Sequence, residues 1–134
     1  MNKNERKILN IRVEGIDDFF ERVGEEIRDI EEGGTPEEGF GVSFHSREEL
    51  HRILSDSNME LIETVVEQEP NSIRELARLV DRDVHRVHDN ITELESLGLV
   101  ELEEGERNAK KPVVWYDEIE ITVPLRDEDV EATA

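Results

Sequence analysis

Between Ser72 and Lys111, the 134-residue chain gathers side chains whose chemistry suits the edges of bases and the oxygens of phosphates. An arginine such as Arg86 can present two parallel N–H donors to guanine O6 and N7, and an asparagine such as Asn90 can pair with adenine. His85, His88, Asp89 and Thr92 add donors and acceptors within the same eight-residue stretch. Arg74, Arg78 and Arg82 are spaced as phosphate partners, with Ser72 as a hydroxyl at a helix start. Farther on, Arg107, Asn108, Lys110 and Lys111 fall in or beside a polar turn, and that turn holds two of the chain's four lysines.

Other chemistries find less support. His85 and His88, three residues apart, could share a metal ion, but no third ligand is fixed nearby by spacing and the chain has no cysteine. Asp17 and Asp18 imitate a paired acid, yet no nucleophile motif, glycine-rich phosphate loop or metal-ligand pattern accompanies them. The sequence is therefore expected to describe neither an enzyme nor a metal or cofactor protein. Trp115 and Tyr116 could stack on a base, but at the end of a strand they are expected to seal a core.

These residues need elements to hold them. Met59, Ile62, Val65 and Val66 mark a helix that Pro70 stops. Ser72 and Glu75 form a capping box for a short helix carrying Ile73, Leu76, Ala77 and Val80. Val84, Val87, Ile91, Leu94 and Leu97 then keep helical spacing until Gly98 ends it, which predicts a helix over 83–97. Val100 and Leu102 alternate with Glu101 and Glu103, and Pro112–Tyr116 returns as a second strand after the turn. Ile119, Ile121 and Val123 suggest a third. Upstream, Ile8–Val13 alternates as a strand, Ile16–Glu31 repeats as an amphipathic helix, and 31–39 is a loop. Phe40, Val42 and Phe44 alternate again, and Ser46 with Glu49 opens a helix carrying Leu50, Ile53 and Leu54. The expected organisation is an N-terminal β-α-β-α extension at 1–57, a winged-helix domain at 58–125 and a frayed acidic tail at 126–134, with the extension or the terminal strands as the expected dimer contact. The fold class is α+β.

Three helices followed by a hairpin is the order of a winged helix-turn-helix. In that arrangement the third helix buries one stripe and offers the other to a major groove about 12 Å wide. The stretch SIRELARLVDRDVHRVHDNITELESLGLVELEE resembles the helix-turn-helix and wing of the MarR/ArsR-like superfamily. There a leucine-x-x-leucine-glycine-leucine pattern closes the recognition helix, as Leu94-Glu95-Ser96-Leu97-Gly98-Leu99 does here. Nearly the whole chain is similar to a family of haloarchaeal winged-helix DNA-binding proteins. In that family a DEFF-like helix precedes the domain and a WDEIEV-LP segment closes it. The counterparts are Asp18-Phe19-Phe20-Glu21 and Trp115-Tyr116-Asp117-Glu118-Ile119-Glu120, ending at Pro124-Leu125. The resemblance implies a transcriptional regulator that binds double-stranded DNA as a homodimer, with helix 83–97 in the major groove and wing 103–112 on the flanking backbone or minor groove.

Charge complicates this expectation. Thirty-six acidic residues against 16 basic ones leave a net charge of −20, and 12 of the basic residues are arginines. A carboxylate-rich, lysine-poor surface resembles that of proteins from extremely halophilic archaea. In molar salt the Debye length shrinks to about 3 Å, which screens the self-repulsion. The imbalance is also uneven: Ser72–Trp115 carries seven basic against ten acidic residues, whereas residues 1–57 carry eight against 15. An acidic protein-interaction module using the same scaffold without DNA is the alternative. No apolar run approaches the roughly 18 residues of a membrane span, so a cytoplasmic protein without membrane contact is expected. The sequence identifies no small-molecule effector.

Overall fold

The computed structural model describes residues 6–31 and 41–126. Of the expected loop at 31–39, Glu31 closes helix α1 and the rest lies outside the described residues, as does the expected tail at 126–134 beyond Arg126. In chain order the elements are β1 (Ile8–Val13), α1 (Ile16–Glu31), β2 (Gly41–Phe44), α2 (Arg47–Ile53), α3 (Asp56–Gln68), α4 (Ile73–Val80), α5 (Val84–Ser96), β3 (Glu101–Glu104), β4 (Lys110–Val113) and β5 (Glu118–Thr122). The architecture is mixed α and β, in two compact units: Met1–Leu50 with Tyr116–Ala134, and His51–Trp115.

The first unit is built on a parallel three-stranded sheet in the order β2-β1-β5. Alternation in β1 turns Leu9 and Ile11 to one face, where both are buried. The register sets Leu9 beside Ile119, Ile11 between Val42 and Ile121, and Val13 beside the fully buried Phe44, so one face is continuously apolar. Glu14, just past β1, is a buried carboxylate. It accepts a 2.8 Å hydrogen bond from Ser43 Oγ and lies 3.3 Å from Arg12 Nε, so its charge is met within the sheet.

One expectation is corrected here. Residues 116–125 do not continue the second domain, because β5 pairs with β1 and not with the β3-β4 hairpin. A strand's alternation specifies a buried face but not the neighbour that provides it. The partner is set instead by a clamp at the strand starts: Asp117 N–H donates to Lys7 O at 2.7 Å, and Lys7 N–H donates to Asp117 Oδ2 at 2.9 Å.

The second unit begins in the last turn of α2. Ser55 caps α3, its Oγ accepting from Asn58 N–H at 3.2 Å, and the buried Asn58 amide donates back to Ile53 O at 2.8 Å. The helix therefore starts at Asp56, ahead of Met59, its first apolar residue, and inside the expected extension 1–57. Its buried stripe is Leu61, Ile62 and Val65, whereas Val66, expected inside, is 54% exposed. Ser72 caps α4 as expected, accepting from Glu75 N–H at 3.0 Å, while the Glu75 carboxylate accepts from Asn71 N–H. Helix α4 ends at Asp81 in the left-handed region (φ 55°), and Arg82 N–H reaches back to Ala77 O at 3.0 Å. Asp83 then caps α5, so the turn between the two helices is only three residues long.

Helix α5 buries Val87, Ile91 and Leu94 completely. It closes with paired return bonds, Gly98 N–H to Glu95 O at 3.1 Å and Leu99 N–H to Leu94 O at 2.9 Å. Gly98 takes φ 86°, a conformation that costs other residues about 1–2 kcal/mol. Strands β3 and β4 then pair antiparallel, with Glu104 opposite Lys110 and Leu102 opposite Pro112.

Two measurements test this packing. Tyr116, the chain's single tyrosine, is buried, and burial pushes its hydroxyl well above the ordinary value of about 10. The unfolded chain ionises first, so stability held below about pH 10 is lost as the pH rises beyond it. Ultraviolet titration should show no phenolate until the protein unfolds, and Tyr116→Phe should weaken the alkaline loss. Gly105 sits where a Cβ would lie 3.0 Å from Asn71 O and 3.3 Å from Ala109 O, both backbone atoms. Gly105→Ala should cost about 1–3 kcal/mol in urea unfolding.

Candidate nucleic-acid interface

Once α5 turns Val87, Ile91 and Leu94 inward, the helical period decides what faces solvent. His85, Arg86, His88, Asp89 and Thr92 are all exposed, and Asn90 is half-buried at the boundary. His85 lies three and four residues before His88 and Asp89, which lie four and three before Thr92, so the four form a single stripe with Arg86 beside it. His88 Nδ1 lies 3.9 Å from Asp89 Oδ1, a loose contact between two exposed side chains. On α4, Arg74 and Arg78 are four residues apart and exposed on one face. No ion pair holds Arg74, Arg78 or Arg86 among the described residues.

Several neighbouring carboxylates already have tasks. Asp83 caps α5 by accepting from Arg86 N–H at 3.1 Å, and Glu75 belongs to the α4 cap. Glu93 takes a 2.7 Å ion pair from Arg52, a partnership that no local pattern in the sequence announces. A carboxylate over a helix N-terminus faces the positive end of the helix dipole, so these acids also steady the elements that carry the arginines.

Four candidates differ from expectation. Arg82 is only partly exposed, and it donates to Ser57 O at 3.0 Å and Glu60 Oε1 at 2.8 Å. It fastens the α4–α5 turn to α3, with two of its five N–H donors committed there. Ser72 spends its hydroxyl oxygen on the α4 cap, leaving its O–H as donor. Lys110 and Lys111 lie in β4 and not at the tip, directly opposite Glu104 and Glu103. Cross-strand neighbours share a face, so each of these cations works beside a carboxylate. A turn of five residues, 105–109, dictates that register, and the polar run disguised it.

The tip is Glu106–Ala109. Ala109 N–H donates to Glu106 O at 3.0 Å, and Arg107 and Asn108 both have positive φ, 57° and 63°. Two left-handed central residues make the turn whose twist matches a hairpin. Asparagine tolerates that region, whereas at Arg107 the conformation is strained. Arg107 is exposed there, as is Asn108.

A family model for HVO_A0114 matches residues 53–121, just over half the chain. The chain belongs to the HVO_A0114 family. That family is haloarchaeal, in accord with the acidic, arginine-dominated composition. The HVO_A0114 match takes in the whole of α3–β4 and most of β5, and so contains every candidate residue. No curated protein and no solved structure matches the chain. Among the described residues, no helix of this family member is long and apolar enough to cross a membrane.

The two classes of arginine should separate in mutagenesis. Arg82→Ala should destabilise the fold by about 1–3 kcal/mol, because Ser57 O and Glu60 lose a charged donor. Arg78→Ala should stay within about 0.5 kcal/mol of wild type in the same unfolding experiment.

Proposed function

We propose that His51–Trp115 is a winged helix-turn-helix of the MarR/ArsR-like kind. It binds double-stranded DNA as a two-fold homodimer and acts as a transcriptional regulator adapted to high salt. One observation carries this: a helix sealed on one stripe presents Arg86 among exposed hydrogen-bonding side chains, next to two arginines on one face of α4. Helix α5 enters the major groove, with Arg86, His85, His88, Asp89, Thr92 and the boundary Asn90 toward base edges. Arg74, Arg78 and the Ser72 hydroxyl meet phosphates, and Arg107 and Asn108 lead the hairpin toward the flanking backbone or minor groove. Among the described residues no metal-holding cluster accompanies them, and we read the protein as a binder and not an enzyme.

The salt regime reconciles this role with a net charge of −20. In molar potassium chloride the chain's repulsion of DNA is screened within about 3 Å. Counterion release then contributes little, so base contacts and shape must supply most of the affinity. A basic protein partner is the second reading. It is favoured by the glutamates opposite Lys110 and Lys111, which dilute the cationic character of the hairpin.

Mobility shift in molar potassium chloride, using genomic fragments that include the gene's own upstream region, tests the assignment. Arg86→Ala should weaken the selected site by about 10- to 100-fold, matching 1–3 kcal/mol of base discrimination, with unfolding unchanged. Arg74→Ala and Arg78→Ala should weaken all sequences alike. Absence of binding to every fragment overturns the DNA assignment. Recovery of a partner that survives charge reversal at Arg86, Lys110 and Lys111 supports the protein-binding one.

A further inference from the structure

Strand β5 lies at the edge of the parallel sheet, and its outer side carries a self-complementary pattern. Glu118 N–H donates to Lys7 O, so Glu118, and by alternation Glu120 and Thr122, turn their backbone groups toward β1. Ile119, Ile121 and Val123 therefore turn theirs outward, away from the sheet. The exposed large apolar residues among the described ones are Phe20, Val66, Leu79, Ile121, Val123 and Leu125, and three of these alternate within this one short segment. Among the described residues, no strand pairs with the outer side of β5.

We propose that β5 pairs antiparallel with β5 of a second copy, with the two-fold axis at Thr122. In that register Ile121 faces Val123, Ile119 faces Leu125 and Glu118 faces Arg126, each twice by symmetry. All the apolar pairs fall on one face, and the opposite charges pair on the other. The outward N–H and C=O groups of Ile121 and Val123 supply the hydrogen bonds, and Pro124 meets the partner where no donor is required. Neighbouring registers are worse. An axis at Glu120 sets that carboxylate against itself, and an axis at Ile121 sets Asp117 against Leu125 and takes Arg126 away from Glu118, whereas the Thr122 axis leaves only Glu120 beside Pro124. Glu118 already meets Arg6 at 3.4 Å and is 41% exposed, so it retains oxygen lone pairs for a second guanidinium. The bend at Leu125–Arg126 straightens as the pair forms. Two chains of −20 repel, so the dimer is strengthened by salt.

This inference supplies the dimer that the proposed function assumes, and its test needs no DNA. Sedimentation velocity of the full chain across potassium chloride concentrations should show a dimer that tightens with salt. Ile121→Glu, at an exposed position, should raise the dissociation constant by more than about tenfold while circular dichroism stays native, because two apolar pairs are lost. Arg126→Glu should also weaken association, and adding Glu118→Arg should restore it, a rescue that a general loss of folding would not produce. A monomer at every salt concentration, or a dimer indifferent to both single changes, overturns the proposal. A monomer that still binds DNA overturns it and leaves the DNA assignment standing.

Discussion

The buried stripe of α5 is the constraint on which the second unit depends. Val87, Ile91 and Leu94 are wholly inaccessible, and Leu99, just past the helix, is equally buried. Burying side chains of this size contributes about 1.5–3 kcal/mol each. Leu94 does so twice over: its side chain fills the core, and its carbonyl accepts the bond from Leu99 N–H that turns the chain into the hairpin. Rotation of α5 would therefore cost both the core and the strand that follows, so the outward phase of Arg86 and His88 is set by residues that never meet solvent.

Acidity is used locally as well as globally. Asp83 and Glu75 complete helix caps, Asp81 takes the left-handed exit of α4, Glu93 receives Arg52, and the buried Glu14 is met by Ser43 and Arg12. A surface this rich in carboxylate works against a face built to meet anions. Here several of the acids nearest the arginines are instead part of what holds them in place, while Arg74, Arg78 and Arg86 stay clear of ion pairs among the described residues.

Most of the fold could be read from the sequence because its signals are short-range. The Ser72–Glu75 box, the spacing from Val84 to Leu94 and the Gly98 stop each require only a few neighbouring residues, and each holds. What could not be read is long-range. Alternation at Ile119 and Ile121 announces a strand without naming β1 as its partner. Arg82 looked like Arg78 because nothing local shows that Ser57 O lies within its reach, and Arg52 gave no sign of Glu93. The start of α3 is hidden in the sequence for a different reason: Ser55 caps it without the glutamate three residues on that makes a box recognisable. In the hairpin, a polar run concealed where turn became strand, and with it the glutamates opposite both lysines.

The pairing of β1 with β5 joins Leu9 to Ile119, near the two ends of the described chain. The central strand of the first unit thus gains one neighbour soon after it is made and the other only after the whole of His51–Trp115 has followed. Domains generally form as their residues leave the ribosome, and contacts distant in sequence form slowly. The order of maturation is consequently the reverse of the order of synthesis for these two units: the one begun earlier completes its sheet later, after the residues of the second have all been made.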